Sequence, residues 1–269
     1  MASTNKKISQ KLKLVTFDIK SMTKLANIDY VILCGGLGKR LRSIESEKPK
    51  VMVQVDDKPF LDTIILQLKA QGIRRVILCT GYKAEMVEDH YRKNNFGLTI
   101  EFSREASPLG TGGALRYAVD SVRSSHFLAL NGDSWVDQPL APVVAEHVRA
   151  SWQVTALAVQ AERVEGKALQ KGLLKLGTGR EVLGFHTSEN AASGWVNGGC
   201  YVFERSVVAA WPGGAYSLEA DWDSLLGGKR VGAYCSQGRL LDIGTPQTYG
   251  RAAEILGNFE GALQGSILR

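Results

Sequence analysis

The sequence predicts an α/β fold: a mixed, mostly parallel, Rossmann-like sheet covered by helices on both faces. Three observations carry this. Short β-rich runs recur at Tyr30–Cys34, Val76–Thr80, Leu98–Phe102, Phe127–Leu130 and Val154–Val159. Amphipathic stretches separate the earlier runs, which is the alternation of βαβ units. The first run then breaks directly into glycines and cations.

Each element has its own reason. Phe60–Gln71 carries Leu61, Ile64, Ile65 and Leu68 at helical spacing, and Lys83–Asn94 and Gly113–Val122 read the same way. Beyond Gln160 the pattern changes to Gly172–Leu176, Val182–His186, Trp195–Phe203 and Val231–Cys235, with less regular helices. This predicts an insertion that builds a second ligand-facing layer on the sheet. Pro246–Leu256 reads as a closing helix, with Thr245 as N-cap and Pro246 in the first helical position. There is no internal repeat and no hexapeptide array.

Composition narrows the function classes. With 269 residues and 44% hydrophobic content the chain can bury a substantial core. The net charge of +6 suits anionic ligands, yet part of it comes from Lys6, Lys7, Lys11, Lys13, Lys20 and Lys24. The other basic residues are spread, with no aromatic-interleaved stripe, so no nucleic-acid partner is expected. Cys34, Cys79, Cys200 and Cys235 lack Cys-x-x-Cys spacing and read as buried thiols of a reducing compartment. No apolar run approaches the roughly 18 residues of a membrane span, and the lysine-rich start lacks the apolar core of a secretory leader. The expectation is a cytoplasmic protein with no membrane partner.

Four features fall where ligands bind in open α/β sheets, outside the carboxyl ends of the strands. The first is Cys34-Gly35-Gly36-Leu37-Gly38-Lys39-Arg40-Leu41-Arg42. Gly35, Gly36 and Gly38 let backbone N–H groups approach an anion, and Lys39, Arg40 and Arg42 add charge. It is not a dinucleotide fingerprint, since Leu41 stands where the third glycine belongs, nor a P-loop, since Arg40 follows Lys39. The second is Lys50, held after Pro49. The third is the glycine turn Pro108-Leu109-Gly110-Thr111-Gly112-Gly113-Ala114, for which Thr111 as a plain helix cap is the bland reading. The fourth is Asn131-Gly132-Asp133, echoed downstream by Asp242-Ile243-Gly244-Thr245. Two strand-end aspartates suit Mg²⁺ when phosphates and waters complete its octahedron.

Taken in order, Gly35–Leu41, Pro49-Lys50-Val51-Met52, Lys58-Pro59-Phe60-Leu61, Leu109–Ala114, Asn131-Gly132-Asp133 and Asp242–Thr245 resemble the sugar-1-phosphate nucleotidylyltransferases over about residues 29–256. Arg42-Ser43-Ile44, Lys58–Leu61 and Pro108–Ala114 look most like the branch that guanylylates D-glycero-D-manno-heptose 1-phosphate. The resemblance implies the nucleotide-diphospho-sugar transferase fold. It implies a basic extension over residues 1–28 and one domain over 29–269, with a nucleotide-binding half (29–150) and a sugar-binding half (151–269). It also implies attack of a sugar 1-phosphate on the α-phosphorus of GTP with release of pyrophosphate. Oligomeric state is left open, a homo-oligomer included.

By position, the resemblance makes Arg40 and Lys50 catalytic. Arg40 would stabilise triphosphate and leaving pyrophosphate; Lys50 would neutralise the α-phosphate and the sugar phosphate. Asp133 and Asp242 would hold Mg²⁺. Gly35, Gly36, Gly38, Lys39, Glu105, Gly110, Thr111 and Gly112 would bind nucleotide, and Asn197, Gly198 and Glu219 would meet sugar hydroxyls. Glu105 stands where thymidylyltransferases carry glutamine. A carboxylate only accepts hydrogen bonds, which suits guanine's adjacent N1–H and N2–H₂; the alternative is that it faces water. The chain departs from the pattern at Val51, at Thr187-Ser188-Glu189 where relatives have Glu-Lys, and at Ala220 and Asp221. Another sugar or cyclitol 1-phosphate, or a non-enzymatic regulatory subunit that binds nucleotide-sugar, are the rival readings.

Overall fold

The computed structural model describes residues 25–38, 40–41, 45–165, 172–186 and 193–257. In chain order the strands of the first half are β1 (Asp29–Leu33), the short β2 (Gln54–Val55) and β3 (Lys58–Pro59), β4 (Arg75–Thr80), β5 (Thr99–Arg104), β6 (His126–Asn131) and β7 (Ser134–Val136). Its helices are α1 (Phe60–Ala70), α2 (Ala84–Lys93), α3 (Gly110–Ala118) and α4 (Leu140–Arg149). The second half has β8 (Val154–Gln160), β9 (Val164–Glu165), β10 (Leu173–Leu176), β11 (Val182–His186) and β12 (Trp195–Glu204). It continues with α5 (Arg205–Ala209), α6 (Trp222–Leu226), β13 (Val231–Ser236), β14 (Leu240–Asp242) and α7 (Pro246–Gly250).

A nine-stranded sheet runs β11-β10-β12-β6-β1-β4-β5, with β8 paired to β12 and β13 to β8. Strands β1, β4, β5 and β6 pair in parallel, so their carboxyl ends share one edge. Strand β12 is antiparallel to both β6 and β8, which adds the second half to the same sheet. The expected second layer is therefore corrected. Most of the later strands extend the first sheet; β7, β14 and β9 form a separate small sheet, and β2 and β3 another. The α/β class with helices on both faces stands as expected.

Side-chain alternation along β1 shows how the faces fill. Tyr30 and Ile32 join a core with Ile64 and Leu68 of α1, Val87 of α2 and Val143 of α4. Val31 points the other way, into a core with Leu115 of α3, Val207 of α5 and Trp222 of α6. Helix α4 escaped the sequence reading although it carries six apolar residues among ten. Helix α3 begins at Gly110, earlier than its apolar pattern suggested, and ends into a 3₁₀ turn over Val119–Ser121. Thr245 caps α7 as expected, in a reciprocal capping box with Thr248. Cys34, Cys79 and Cys200 are buried and all four thiols are free. Among the described residues no helix is long and apolar enough to cross a membrane.

The opposite edge of the parallel strands is pinned by charge. Asp29 at the start of β1 accepts N–H bonds from Arg123 (2.5 Å) and Ser124 (3.0 Å) and pairs with Arg75 at the start of β4 (2.5 Å). Arg75 also reaches Glu101 on β5 (2.6 Å). Burial alone would raise the Asp29 carboxyl, but the two backbone donors and Arg75 outweigh it and hold it below the usual carboxylate range. Asp29→Ala would leave Arg75 with Glu101 alone and strip the Arg123 and Ser124 N–H groups of their acceptor, so it should cost about 3 kcal/mol in denaturant unfolding at neutral pH. A depressed native carboxyl stabilises only while ionised. The gap between wild type and variant should therefore narrow as pH falls below about 4.

Candidate active site

The glycine loop leaves β1 at its carboxyl end and is tied to the neighbouring strand at once. Cys34 N–H donates to the Cys79 carbonyl (3.0 Å), and Tyr82 N–H donates to that of Gly35 (3.1 Å). Gly38 has φ +59°, and a Cβ there would lie 3.0 Å from Lys50 Cβ. Conformation and closeness both demand glycine at this point. Arg40 follows, exposed, on the rim of a cavity of about 220 Å³ that is also lined by Gly36, Gly38, Lys50, Asp133 and Gly244. Lys39 and the 42–44 segment lie outside the described residues.

Lys50 comes from a 3₁₀ turn over Lys50–Met52, not from a strand end as expected. Its ammonium lies 2.5 Å from Asp133 Oδ2 and 3.4 Å from Asp242 Oδ1. The aspartates meet because β14 runs antiparallel to β7, with Asp242 opposite Ser134. The backbone adds a tie from Ile243 N–H to the Asp133 carbonyl (3.2 Å). Burial would lower the Lys50 ammonium, and so would the nearby Arg40 charge. The two carboxylates overcome both and raise it above its ordinary value. Lys50 is thus a fixed cation beside the glycine loop.

A second cavity of about 420 Å³ adjoins the first across Gly36, Gly38 and Asp133. Its walls include Gly35, Glu105, Pro108, Gly110, Thr111 and Asn131. Glu105 is half-buried on this wall. A Cβ on Gly35 would lie 2.7 Å from its Oε1, and one on Gly81 would collide with the same oxygen. Oε2 accepts the Leu109 N–H (3.1 Å). Burial raises the Glu105 carboxyl and the Leu109 bond opposes the rise. A carboxylate wedged between two glycines at the cavity wall is an acceptor aimed at whatever fills the cavity.

The glycine turn plays a different part from the one expected for Gly112 and Thr111. The N–H groups of Gly112 and Gly113 donate to the Tyr216 carbonyl (3.1 and 3.3 Å), and Leu109 accepts from Tyr216 N–H (2.9 Å). Gly112 is buried under the Tyr216 ring, not in the cavity. Its role is to let the two halves touch. The Thr111 hydroxyl donates to Glu219 Oε2 (2.8 Å) and accepts the Leu218 N–H (2.8 Å). Gly110, with φ +70°, does line the cavity.

Asn197 is likewise committed inside the fold. Its Oδ1 accepts the Gly199 N–H (3.0 Å) and its Nδ2 donates to the Tyr201 hydroxyl (2.5 Å), so the buried side chain props the Gly198-Gly199 turn. Gly198 lies against the Leu157 carbonyl. Glu219 is half-buried and meets Thr111, Ser217 (3.1 Å) and Tyr201 (3.4 Å). Thr187-Ser188-Glu189 lie outside the described residues. Sequence reading missed Tyr216, whose residue type announces nothing; only its pairing with Leu109 reveals it.

A phosphate-sized polar cavity, joined to a larger one at the carboxyl ends of parallel strands, defines a nucleotide-handling α/β enzyme site. The chain belongs to the nucleotidyl transferase family, which it matches over residues 29–257. It is 32% identical over 236 residues to the D-glycero-alpha-D-manno-heptose 1-phosphate guanylyltransferase of Aneurinibacillus thermoaerophilus, covering 86% of this chain and 100% of that one. It is also 32% identical to the mannose-1-phosphate guanylyltransferase of Mycobacterium tuberculosis, over 84% of this chain and 64% of that one. The crystal structure of HddC from Yersinia pseudotuberculosis complexed with GMP-PN superposes with a TM-score of 0.77 at 29% identity, covering 85% and 99% of the two chains. The family resemblance carried by the ordered motifs is borne out.

The Glu105 wedge gives a direct check. Gly81→Ala drives a methyl group into Oε1 and should push the carboxylate off the Leu109 N–H. We expect nucleotide affinity in titration calorimetry to fall by about tenfold, the loss of one charge-assisted hydrogen bond. Unfolding stability should change far less.

Proposed function

We propose that the protein joins GTP to a sugar 1-phosphate, giving a GDP-sugar and pyrophosphate. D-glycero-alpha-D-manno-heptose 1-phosphate is the foremost substrate, and a bacterial surface polysaccharide the destination. The observation that carries the reading is the continuity of the two cavities. Glu105 stands at the base end, and Arg40, Lys50 and Asp133 stand at the phosphate end. Likeness to two guanylyltransferases supports the base and the reaction. Full coverage of the heptose enzyme, against 64% of the mannose enzyme, favours the heptose.

In this reading an oxygen of the sugar phosphate attacks the α-phosphorus of GTP. A new P–O bond forms, the bond from the α-phosphorus to the bridging oxygen breaks, and pyrophosphate leaves with that electron pair. Amides of Gly35, Gly36 and Gly38, with the Arg40 guanidinium, would take the triphosphate charge. The fixed Lys50 ammonium would bring two mutually repelling phosphates together, a positioning role as much as an electrostatic one. Lys39 would add charge at the same loop. Arg40, Lys50, Asp133 and Asp242 are all retained, and a subunit that only bound nucleotide-sugar would not need this full set.

The donor set also fits Mg²⁺. Asp133 and Asp242 supply two carboxylates that already converge on one cation, Lys50 Nζ. Among the described residues no group of three or more His, Cys, Asp or Glu side chains could hold a metal by itself. Two carboxylates completed by phosphate oxygens and waters are the usual Mg²⁺ arrangement. Bound there, the ion would neutralise charge on the reacting phosphates. Asp133→Ala and Asp242→Ala should each lower turnover at least a hundredfold while circular dichroism stays native-like. Near-normal turnover of Asp242→Ala at saturating Mg²⁺ would remove that residue from the site.

The decisive experiment is a matrix of nucleoside triphosphates against sugar 1-phosphates, read by pyrophosphate release. An acceptor at Glu105 meets N1–H and N2–H₂ in guanine but the bare N1 of adenine. Such a mismatch costs roughly 1–3 kcal/mol, a preference of about five- to 150-fold. GTP should therefore lead ATP, UTP and dTTP, and Glu105→Gln should narrow the lead by weakening GTP. An unchanged GTP/ATP ratio in Glu105→Gln would move base recognition to the backbone around Leu109 and Gly110.

A further inference from the structure

The nucleotide cavity and the second half of the sheet meet at one hydroxyl. Thr111 stands in the glycine turn that lines the larger cavity. Its Oγ1 donates its hydrogen to Glu219 Oε2 at 2.8 Å and accepts the Leu218 N–H at 2.8 Å. A hydroxyl has one hydrogen to donate. In this arrangement it is spent on Glu219, not on a nucleotide.

Glu219 is held from three directions. Besides Thr111, Ser217 Oγ donates to Oε2 (3.1 Å) and the Tyr201 hydroxyl lies 3.4 Å from Oε1. Tyr201 is itself fixed by Asn197 Nδ2 (2.5 Å), and Asn197 Oδ1 by the Gly199 N–H (3.0 Å). Yet the Glu219 residue is only half-buried. Its orientation is thus set by neighbours while part of it stays open to a ligand. A two-oxygen acceptor restrained in this way suits the adjacent hydroxyls of a sugar ring. The backbone carrying Thr111 is locked to the segment carrying Glu219 by the bonds between Leu109, Gly112, Gly113 and Tyr216.

We propose that Thr111 is a positioning residue that fixes Glu219 for sugar recognition, so that the nucleotide turn sets the geometry of the sugar site. This deepens the reading above and rests on it. Thr111 lines the nucleotide cavity, while its hydroxyl serves the other substrate. Loss of the hydroxyl should then appear in the constant for the sugar phosphate, not in that for GTP.

The test is steady-state kinetics of pyrophosphate release with GTP and heptose 1-phosphate, and with mannose 1-phosphate in parallel. Thr111→Val should raise the sugar-phosphate KM by about tenfold or more, the loss of one bond to a charged acceptor, with the GTP KM changed less than twofold. Thr111→Ser keeps the hydroxyl and should restore the wild-type value. In a Glu219→Gln background Thr111→Val should add little, because the two act as one unit. Additive effects of the two substitutions would mark a merely structural role and overturn the proposal. So would a raised GTP KM with the sugar constant unchanged. A wild-type enzyme that released no pyrophosphate from any pair would overturn the transferase reading itself and this inference with it.

Discussion

Lys50 sits where three parts of the chain would otherwise repel or drift. Asp133 follows β6, Asp242 ends β14, and the glycine loop crosses above at Gly38. A half-buried and a buried carboxylate, Asp133 and Asp242, brought together by β7–β14 pairing are unfavourable neighbours unless a cation stands between them. The ammonium supplies it at 2.5 and 3.4 Å, and the carboxylates in turn keep it charged. Each group is stabilised by the others, so the phosphate end of the cleft is ordered before any substrate arrives. Gly244 is part of the same constraint, because a Cβ there would lie 2.9 Å from Lys50 Nζ.

The base end is ordered by a different device. Glu105 has no cation partner among its determinants; burial raises its carboxyl and one backbone N–H partly compensates. Gly35 and Gly81 make room for it, and Leu109 N–H sets its direction. An acceptor held by a single weak tether can tighten on a ligand that offers two donors. The two ends of the cleft therefore differ in kind: one cation between two carboxylates at one end, and a carboxylate with a single backbone donor at the other, which in the proposed reading serve phosphates and a base.

Much of this was legible in the sequence, for identifiable reasons. The parallel core strands announced themselves because both faces are buried, giving near-continuous apolar runs such as Val76–Thr80. The glycine loop, Lys50 and both aspartates were legible because few alternatives explain glycines and charges at strand ends. What stayed hidden depends on pairing at long range. Strand β12 joins β6 antiparallel, so the second half widens the first sheet instead of layering on it. Which neighbour takes the Thr111 hydroxyl is decided by a chain segment far away, at Leu218 and Glu219. Helix α4 lacked a side-chain cap at Pro139 to mark its start.

In the proposed reading the glycine loop, and not helix α3, receives the phosphates, and the Tyr216 carbonyl gives the reason. A helix N-terminus with free amides is an anion site. In α3 the amides of Gly112 and Gly113 are instead consumed by Tyr216, and Gly113 is buried against the Gly214 carbonyl. The turn that opens α3 is therefore a joint between the halves of the fold, closed by backbone bonds and by the Thr111–Glu219 contact. With that terminus occupied, the amides and cations left at the phosphate end are those of the loop after β1, next to Lys50. In the proposed reading substrate charge is thereby drawn to one corner of the cleft, while the α3 turn shapes the cavity wall and holds the Glu219 carboxylate.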